Sequence, residues 1–370
     1  MSSRRPSLIA EFSAFTLSAL GSIFFNAGDL LAGRSAVLFN NIRPLIPWVF
    51  LIYPLLLTTR GDINGIFAGK MGTQLHLGTI VPSFFHNEKR FYELISLVLV
   101  LSLYDSVLIS IVATVVGLLL GISINFLSVS IITLSTFFLT SLFSIFLTSN
   151  LAFFVFKRNA DPDVFVYPIS SMVNDILMTL IFVAVCYFYH PWRGNFYLFA
   201  GLPIIFIIFV AIAFFTLPLP EKTLIIDGFK QSSFMLFLTT LIAAGTGSVL
   251  SSFEHILGTI PSLIVVYPAV LATVGSQNAI IANTTTTKLH TGSLSPALSE
   301  FKSKEVLIPI SAVMFAGIIM SVIYGFFGVI LYSFDVSVSF FFMFLLILTL
   351  SNIIANFMIN LVTLPFAFLT

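Results

Sequence analysis

Long apolar blocks separated by short polar stretches run the length of the chain. A membrane-spanning helix needs about 20 mostly apolar residues. On that ruler ten segments qualify, near residues 9–33, 44–77, 92–121, 126–156, 164–189, 196–218, 230–252, 258–291, 305–333 and 337–368. The pattern predicts an all-α, polytopic membrane protein of about ten transmembrane helices. Two segments depart from the rule. The second turns polar halfway through Thr59, Gly61, Asp62 and Asn64, and the eighth through Thr273, Gly275 and Asn278. Polar stretches at membrane depth are tolerated where they face protein or water.

These two segments are also copies of one another. A shift of 214 residues, without a gap, sets Tyr53, Pro54, Thr59, Gly61, Asn64, Ala68, Thr73, Leu75, His76, Gly78 and Pro82 on Tyr267, Pro268, Thr273, Gly275, Asn278, Ala282, Thr287, Leu289, His290, Gly292 and Pro296. The matched positions are largely polar or small, which apolar bias alone does not produce. Internal repeats are common in transporter folds, with the substrate at the repeat interface. Six crossings separate the copies, so they enter the membrane in the same direction. Parallel repeats imply a pseudo-two-fold axis along the membrane normal, which turns the two polar segments toward a shared path.

Composition agrees with lipid as the main solvent, since only 8% of the residues are charged and 58% are hydrophobic, against about a quarter charged in a soluble domain. The 43 Phe residues are read as core and lipid-facing filler and identify no cofactor. A net charge of +1 provides no basic face for nucleic acid. Cys186 has no partner cysteine in the sequence and sits in an apolar run, so it reads as a buried structural thiol.

The positive charges fix an expected orientation. With a cytoplasmic N-terminus, the inner loops collect Arg4, Arg5, Lys89, Arg90, Lys157, Arg158, Lys222, Lys230, Lys302 and Lys304. The outer loops keep Arg34, Arg43 and Arg193. This asymmetry follows the positive-inside rule and places the chain in the cell membrane as a multi-pass protein. The first apolar stretch contains Glu11 and Asp29 and has no clear small-residue cleavage site, so it reads as a retained span.

The stretch from Arg60 to Gly78 resembles the signature of the MgtE and solute carrier family 41 Mg²⁺ transporters. Gly61, Asp62, Ala68, Gly69, Lys70, Thr73 and Gly78 fill the family's positions. Asp62 stands where the family usually has Asn, and Asn64 where the solute-carrier branch has Glu. All four are hard oxygen donors. Asp161, Pro162, Pro168 and Asp175 are similar to the family's fifth helix, in which the last acid is the principal pore ligand. Ala113 to Gly117 and the run Thr287, Leu289, His290 echo two further motifs. In the second copy Ser276, Asn283 and Thr284 stand where the family has Asn, Ser and Arg, and no counterpart of the Asp175 helix is expected before Thr370.

The resemblance implies two parallel MgtE-like repeats: a first over 1–189 with five spans, a connecting span and loop over 190–229, and a second over 230–370 with four. It implies divalent-cation transport, with Mg²⁺ as the cargo and Mn²⁺ or Co²⁺ as possible companions. Two copies in one chain would replace a homodimer and allow function as a monomer in the bilayer.

An acid at the centre of a spanning helix costs about 2.5–3.5 kcal/mol, so it is a functional candidate by default. Mg²⁺ sheds its water reluctantly and is usually held by one or two carboxylates with several waters kept. The candidate ion site is therefore Asp175 and Asp62 as charged ligands, with Asn64, Asn278 and Ser276 as partners of ion-bound water. Thr73, Thr287, Gly61 and Gly275 are candidates to line the path. A structural ion pair of Asp175 or Asp62 with Lys70 or Arg60 is the bland alternative, and Asp105 is left balanced between depth and water. His76 and His290 read as helix-end hydrogen-bonding groups, because Mg²⁺ prefers oxygen. The glycines at 61 and 65 are expected to let backbone carbonyls open around Asp62.

Two other classes remain to be weighed. A carrier for an organic anion would use Arg60 and Lys70 as attracting charges. An intramembrane enzyme would need clustered acids, a paired-His motif or a nucleophile with a base, and the sequence contains none. Between channel and coupled carrier the sequence does not choose.

Overall fold

The computed structural model describes residues 8–158, 162–189, 196–216, 222–290, 292–295, 298–332 and 337–369. Every regular element among them is helical: α1 Leu8–Ile23, a 3₁₀ turn Phe24–Gly28, α2 Asp29–Ala36, α3 Phe39–Ile42, α4 Val49–His76, α5 Lys89–Leu119, α6 Phe126–Lys157, α7 Pro162–Tyr189, α8 Phe196–Phe215, α9 Lys222–Ser252, α10 Glu254–Thr259, α11 Ser262–His290, a 3₁₀ turn Leu298–Lys302, α12 Lys304–Tyr332 and α13 Val338–Leu369. Arg4, Arg5, Asp161, Arg193 and Pro296 lie outside the described residues.

Among the described residues eight stretches are long and apolar enough to cross a membrane: Leu8–Ile42, Lys89–Leu119, Phe126–Lys157, Val166–Tyr189, Thr223–Ser252, Ser262–Leu289, Lys304–Leu331 and Val338–Leu361. The chain is thus a multi-pass helical membrane protein. Of the ten expected spans, two fall short of this measure. One is α8, an apolar helix of 20 residues, Phe196–Phe215, of which only Ala200–Phe215 enters this measure. The other, α4, is 28 residues long but carries Arg60, Asp62 and Asn64, and protein rather than lipid surrounds it: Val49 to Leu57, Thr59, Arg60, Ile63, Asn64, Phe67 and Ala68 are all buried.

Helix ends follow local chemistry. The Asn125 side chain caps α6 by accepting from the backbone N–H of Leu127 and Ser128 at 2.9 and 3.2 Å. Gly78 and Gly292 end α4 and α11 in the left-handed region, at φ +66° and +71°. In each case the glycine N–H returns to a carbonyl three residues earlier, that of Leu75 or Leu289, at 3.1 Å.

The chain divides into two compact units. One consists of Met1–Arg34 with Ser262–Thr370, and the other of Ser35–Pro261. In the first, α12 packs on α1, α11 and α13, and α11 packs on α13. In the second, α9 lies along α4 and α5, α6 lies between α5 and α7, and α7 also packs on α4.

Lipid tails are as apolar as leucine, so helix association in a bilayer depends on close backbone approach and polar contacts. Both units use a glycine for it. Gly33 lies against the backbone carbonyl of Val265, and Gly247 against that of Leu51; a Cβ at either would collide with the carbonyl oxygen. These contacts bind α2 to α11 within one unit and α9 to α4 within the other. The packing units therefore group α1 with the last three long helices, a different partition from the expected division at 1–189 and 230–370.

Candidate functional site

The polar half of α4 is an uninterrupted helix. The backbone does not open at Gly61–Gly65 as the glycines led us to expect; residues 49–76 form one α-helix. Chemistry near Asp62 must therefore come from side chains.

Positions four apart share a helix face, whereas positions two apart do not. Arg60 and Asn64 share a face of α4, and Asp62 points elsewhere. Asn64 is tied on three sides: its Oδ1 accepts from Asn174 Nδ2 at 2.9 Å and from Thr148 Oγ1 at 3.1 Å, and its Nδ2 donates to Ser170 Oγ at 3.0 Å. One buried amide thus joins α4, α6 and α7. Tyr53 OH adds a bond to Thr179 Oγ1 at 3.1 Å, and Thr179 returns its hydroxyl to the Asp175 carbonyl at 2.8 Å. These contacts fix α7 against α4 where Asn174 and Asp175 occur.

Asp62, half-buried, hydrogen-bonds Thr239 of α9. Asp105 of α5 is fully buried, accepts from Thr240 Oγ1 at 3.2 Å and lies beside Thr59, whose hydroxyl returns to the Leu55 carbonyl at 2.8 Å. The buried guanidinium of Arg60 interacts electrostatically with Asp175 and Asp105, and Asp105 with Asp62. Asp175, Arg60, Asp105 and Asp62 therefore form a continuous electrostatic chain across α7, α4 and α5 within one unit. At about 2.5–3.5 kcal/mol for each isolated charged group, four unpaired ones would cost about 10–14 kcal/mol to insert, which makes the grouping a functional candidate.

Several atoms of this region have no hydrogen-bond partner: Asp175 Oδ1, Asp62 Oδ2, Asp105 Oδ2, Asn174 Oδ1, and the hydroxyls of Ser144 and Ser149 on α6. Buried polar groups are ordinarily paired, and such exceptions are where water or an ion belongs. These oxygens are the donor type that Mg²⁺ and Ca²⁺ take, and among them the Nε of Arg60 is likewise without a partner. Among the described residues no three His, Cys, Asp or Glu side chains come close enough to hold a metal together. The arrangement thus suits an ion that keeps much of its water.

Ser276 and Asn278 belong to the other unit. Ser276 Oγ accepts from Asn26 Nδ2 at 3.0 Å, and Asn278 Oδ1 has no partner. Nearby, Gln277 donates from Nε2 to the Val313 carbonyl at 2.9 Å and accepts from Asn352 Nδ2 at 3.0 Å and from Asn356 Nδ2. Of the expected path residues, Thr73, Thr287 and Gly275 are exposed and Gly61 is half-exposed. Thr73 returns its hydroxyl to the Gly69 carbonyl at 2.9 Å. His76 is exposed, with its ring 6.0 Å from that of Phe156.

Asp105 and Arg60 are the functional candidates that the sequence site omitted. An acid in the middle of the apolar α5 was the available signal, but its partners arrive from positions 43 to 135 residues away. The buried hydroxyls of α6, from Thr133 to Ser149, gave no signal because Ser and Thr also occur in helices as self-bonded residues.

Residues 53–185 match the family model MgtE, described as a divalent cation transporter. This segment contains α4 to α7 nearly entire, and with them Arg60, Asp62, Asn64, Asp105 and Asp175. No curated protein and no solved structure matches the chain.

Proposed function

We propose that this chain, which carries an MgtE divalent cation transporter domain over residues 53–185, moves Mg²⁺ across a cell membrane as a largely hydrated ion. The observation that carries the reading is the unpartnered carboxylate oxygen of Asp175, buried in the matched segment beside Arg60. Asp175 is the charged ligand. Asp62 and Asp105 supply further negative charge along α4 and α5, and Asn64 holds the helices that present them. Mg²⁺ retains water readily, and free oxygens on Asn174, Ser144 and Ser149 are suited to accept hydrogen bonds from that water.

Two parallel copies are part of the proposal, with 1–189 and 230–370 as their extents. Support comes from the offset of 214, which carries α4 onto α11, α5 onto α12, α6 onto α13 and Gly78 onto Gly292. It also relates Gly33 to Gly247 and Leu51 to Val265, the four residues of the two close glycine–carbonyl contacts. The path shared between the copies, with Ser276 and Asn278 on it, a cytoplasmic N-terminus and function as a monomer rest on the sequence reading alone.

MgtE is a family of transporters and not of enzymes. An organic-anion carrier is disfavoured because Arg60 is already balanced by two buried carboxylates. The test is ion flux into liposomes containing the full chain, read with a Mg²⁺-sensitive dye against Mn²⁺, Co²⁺ and Na⁺ gradients. Saturable Mg²⁺ uptake supports the proposal; anion uptake indifferent to divalent cations contradicts it.

A further inference from the structure

We propose that the groove between the loop after α4 and the C-terminal end of α6 binds one anionic phospholipid, with an acyl chain on its phenylalanines and the phosphate at Lys157 and Arg158. The inference concerns a different part of the molecule from the ion site and does not depend on it.

The groove encloses about 560 Å³, within the range of about 300–1,000 Å³ usual for ligand sites. One wall is a stripe of α6: Phe146, Asn150, Phe153, Phe154 and Lys157. Spacings of three and four residues put them on one helix face. Lys157 is eleven residues beyond Phe146, about 16 Å along the axis, which matches half of a hydrocarbon core about 30 Å thick. The stripe thus has the length of an acyl chain in a single leaflet. Lys157, at the end of the span Phe126–Lys157, falls at the level of the headgroups.

The other wall is built by the loop, which one side chain holds in shape. Asn87 Oδ1 accepts from the backbone N–H of Val81 at 2.9 Å and of Glu88 at 2.7 Å, and its Nδ2 donates to the carbonyls of Val81 at 2.7 Å and Ser83 at 2.6 Å. Beside it His86 takes a left-handed backbone, φ +59°, which is costly for a residue with a Cβ. The loop presents Phe84 and Phe85 to the groove. The Phe84 ring lies 5.3 Å from that of Phe146 and 5.6 Å from that of the buried Phe91, which backs Phe153 at 5.6 Å. Phe85, Phe146 and Phe154 remain more than half exposed. Ordinary contact with lipid needs only a smooth helix face, whereas here a fixed loop turns that face into a concave one.

Charge selects the occupant. Among the described residues the one charged side chain lining the groove is Lys157, and the guanidinium of Arg158 lies 4.9 Å over the ring of the lining Phe154. Both cations stand at the C-terminus of α6, whose backbone dipole by itself repels an anion, so the attraction must come from these two side chains. An apolar surface of leaflet depth that ends in two cations fits an anionic phospholipid. Basic pockets at the cytoplasmic ends of spans take such headgroups, and the orientation expected from the charge bias puts this end on the cytoplasmic side.

The experiment titrates the full chain in detergent with phosphatidylglycerol or with phosphatidylcholine of the same acyl chains. Bound lipid is counted by native mass spectrometry, with thermal melting as a folding check. Phosphatidylglycerol should bind at least about tenfold more tightly, the effect of one or two cations near an anionic headgroup. The double variant Lys157→Gln with Arg158→Gln should bring the two lipids to within about threefold of each other, while Lys304→Gln, an exposed position on α12, should keep the preference. Asn150→Trp fills the middle of the groove without changing its charge and should weaken phosphatidylglycerol binding by about tenfold. Glycerol phosphate, which has the anionic head without the chains, should not compete.

Equal affinity of the wild-type chain for the two lipids overturns the proposal. A charge variant that keeps the preference, or an Asn150→Trp protein that binds as the wild type does, also overturns it by placing the lipid elsewhere. Competition by glycerol phosphate would make this a site for soluble anions, and a dimer that Asn150→Trp abolishes and lipid leaves unchanged would give the groove to a second copy of the chain; each contradicts a lipid occupant. If one variant does not fold, the other decides. None of these readouts uses Mg²⁺ uptake, so the ion-site reading and this one fail separately.

Discussion

Asn174 Nδ2 donates to Asn64 Oδ1 at 2.9 Å, joining α7 to α4 one residue before Asp175. The acid is held in register by a neutral amide pair that also engages Thr148 and Ser170. Asn64→Leu strands those three partners in a buried setting, where an unmet polar group costs about 1–3 kcal/mol. The variant should melt measurably earlier in detergent and transport less. Unchanged melting would show that the amide network does not hold α7.

Gly247 and Gly33 provide a packing test. A Cβ at Gly247 would meet the Leu51 carbonyl oxygen, whereas Gly245, two residues earlier on α9, has open space around its Cβ position. Overpacking a tight contact costs about 1–3 kcal/mol. Gly247→Val should therefore lower thermal stability and Gly245→Val should not beyond the small change of strand-former in helix, with Gly33→Val behaving like Gly247→Val. Equal melting of the 245 and 247 variants would contradict the close approach of α9 to α4.

A third prediction concerns Gly317 on α12. Its missing Cβ leaves room for the Gln277 amide, which bonds Val313, Asn352 and Asn356. Gly317→Ala should displace that amide and destabilise the unit by about 1–3 kcal/mol, despite alanine's better helix propensity. A variant that melts later than wild type would show that propensity outweighs the contact.

Asp62→Asn should reduce Mg²⁺ transport less than loss of Asp175 does, because Asp62 is bound to Thr239 and only half-buried. Uptake assays with Mg²⁺ and Mn²⁺ in competition measure it. A loss as complete as that for Asp175 would shift the principal ligand to Asp62.

Much of this was legible in residues whose signal is local. Apolar runs gave the helices, a shift of 214 residues flagged α4 and α11 before their matching ends at Gly78 and Gly292 were seen, and Asp175 stood out as an acid inside a span. Pairings across the fold were not legible. Asp62 and Asn64, two residues apart, looked like joint ligands, but the unbroken helix turns one to α9 and the other to α6 and α7. The expected opening at Gly61–Gly65 assumed that glycine breaks a helix; here α4 is enclosed by neighbours and its backbone bonds stay intact. Arg60 looked like a free attracting charge because its counter-charges, Asp105 and Asp175, lie 45 and 115 residues further along the chain.

The most direct measurement of the central claim is the initial rate of Mg²⁺ uptake into liposomes carrying either the wild-type chain or Asp175→Asn, with melting curves to show that both are folded. The exchange keeps shape and volume and removes one charge from an oxygen that lacks a protein partner. The account predicts that uptake falls by at least about tenfold, as expected when a buried ligand charge is lost, while melting is retained. Wild-type uptake by a folded Asp175→Asn protein would contradict it.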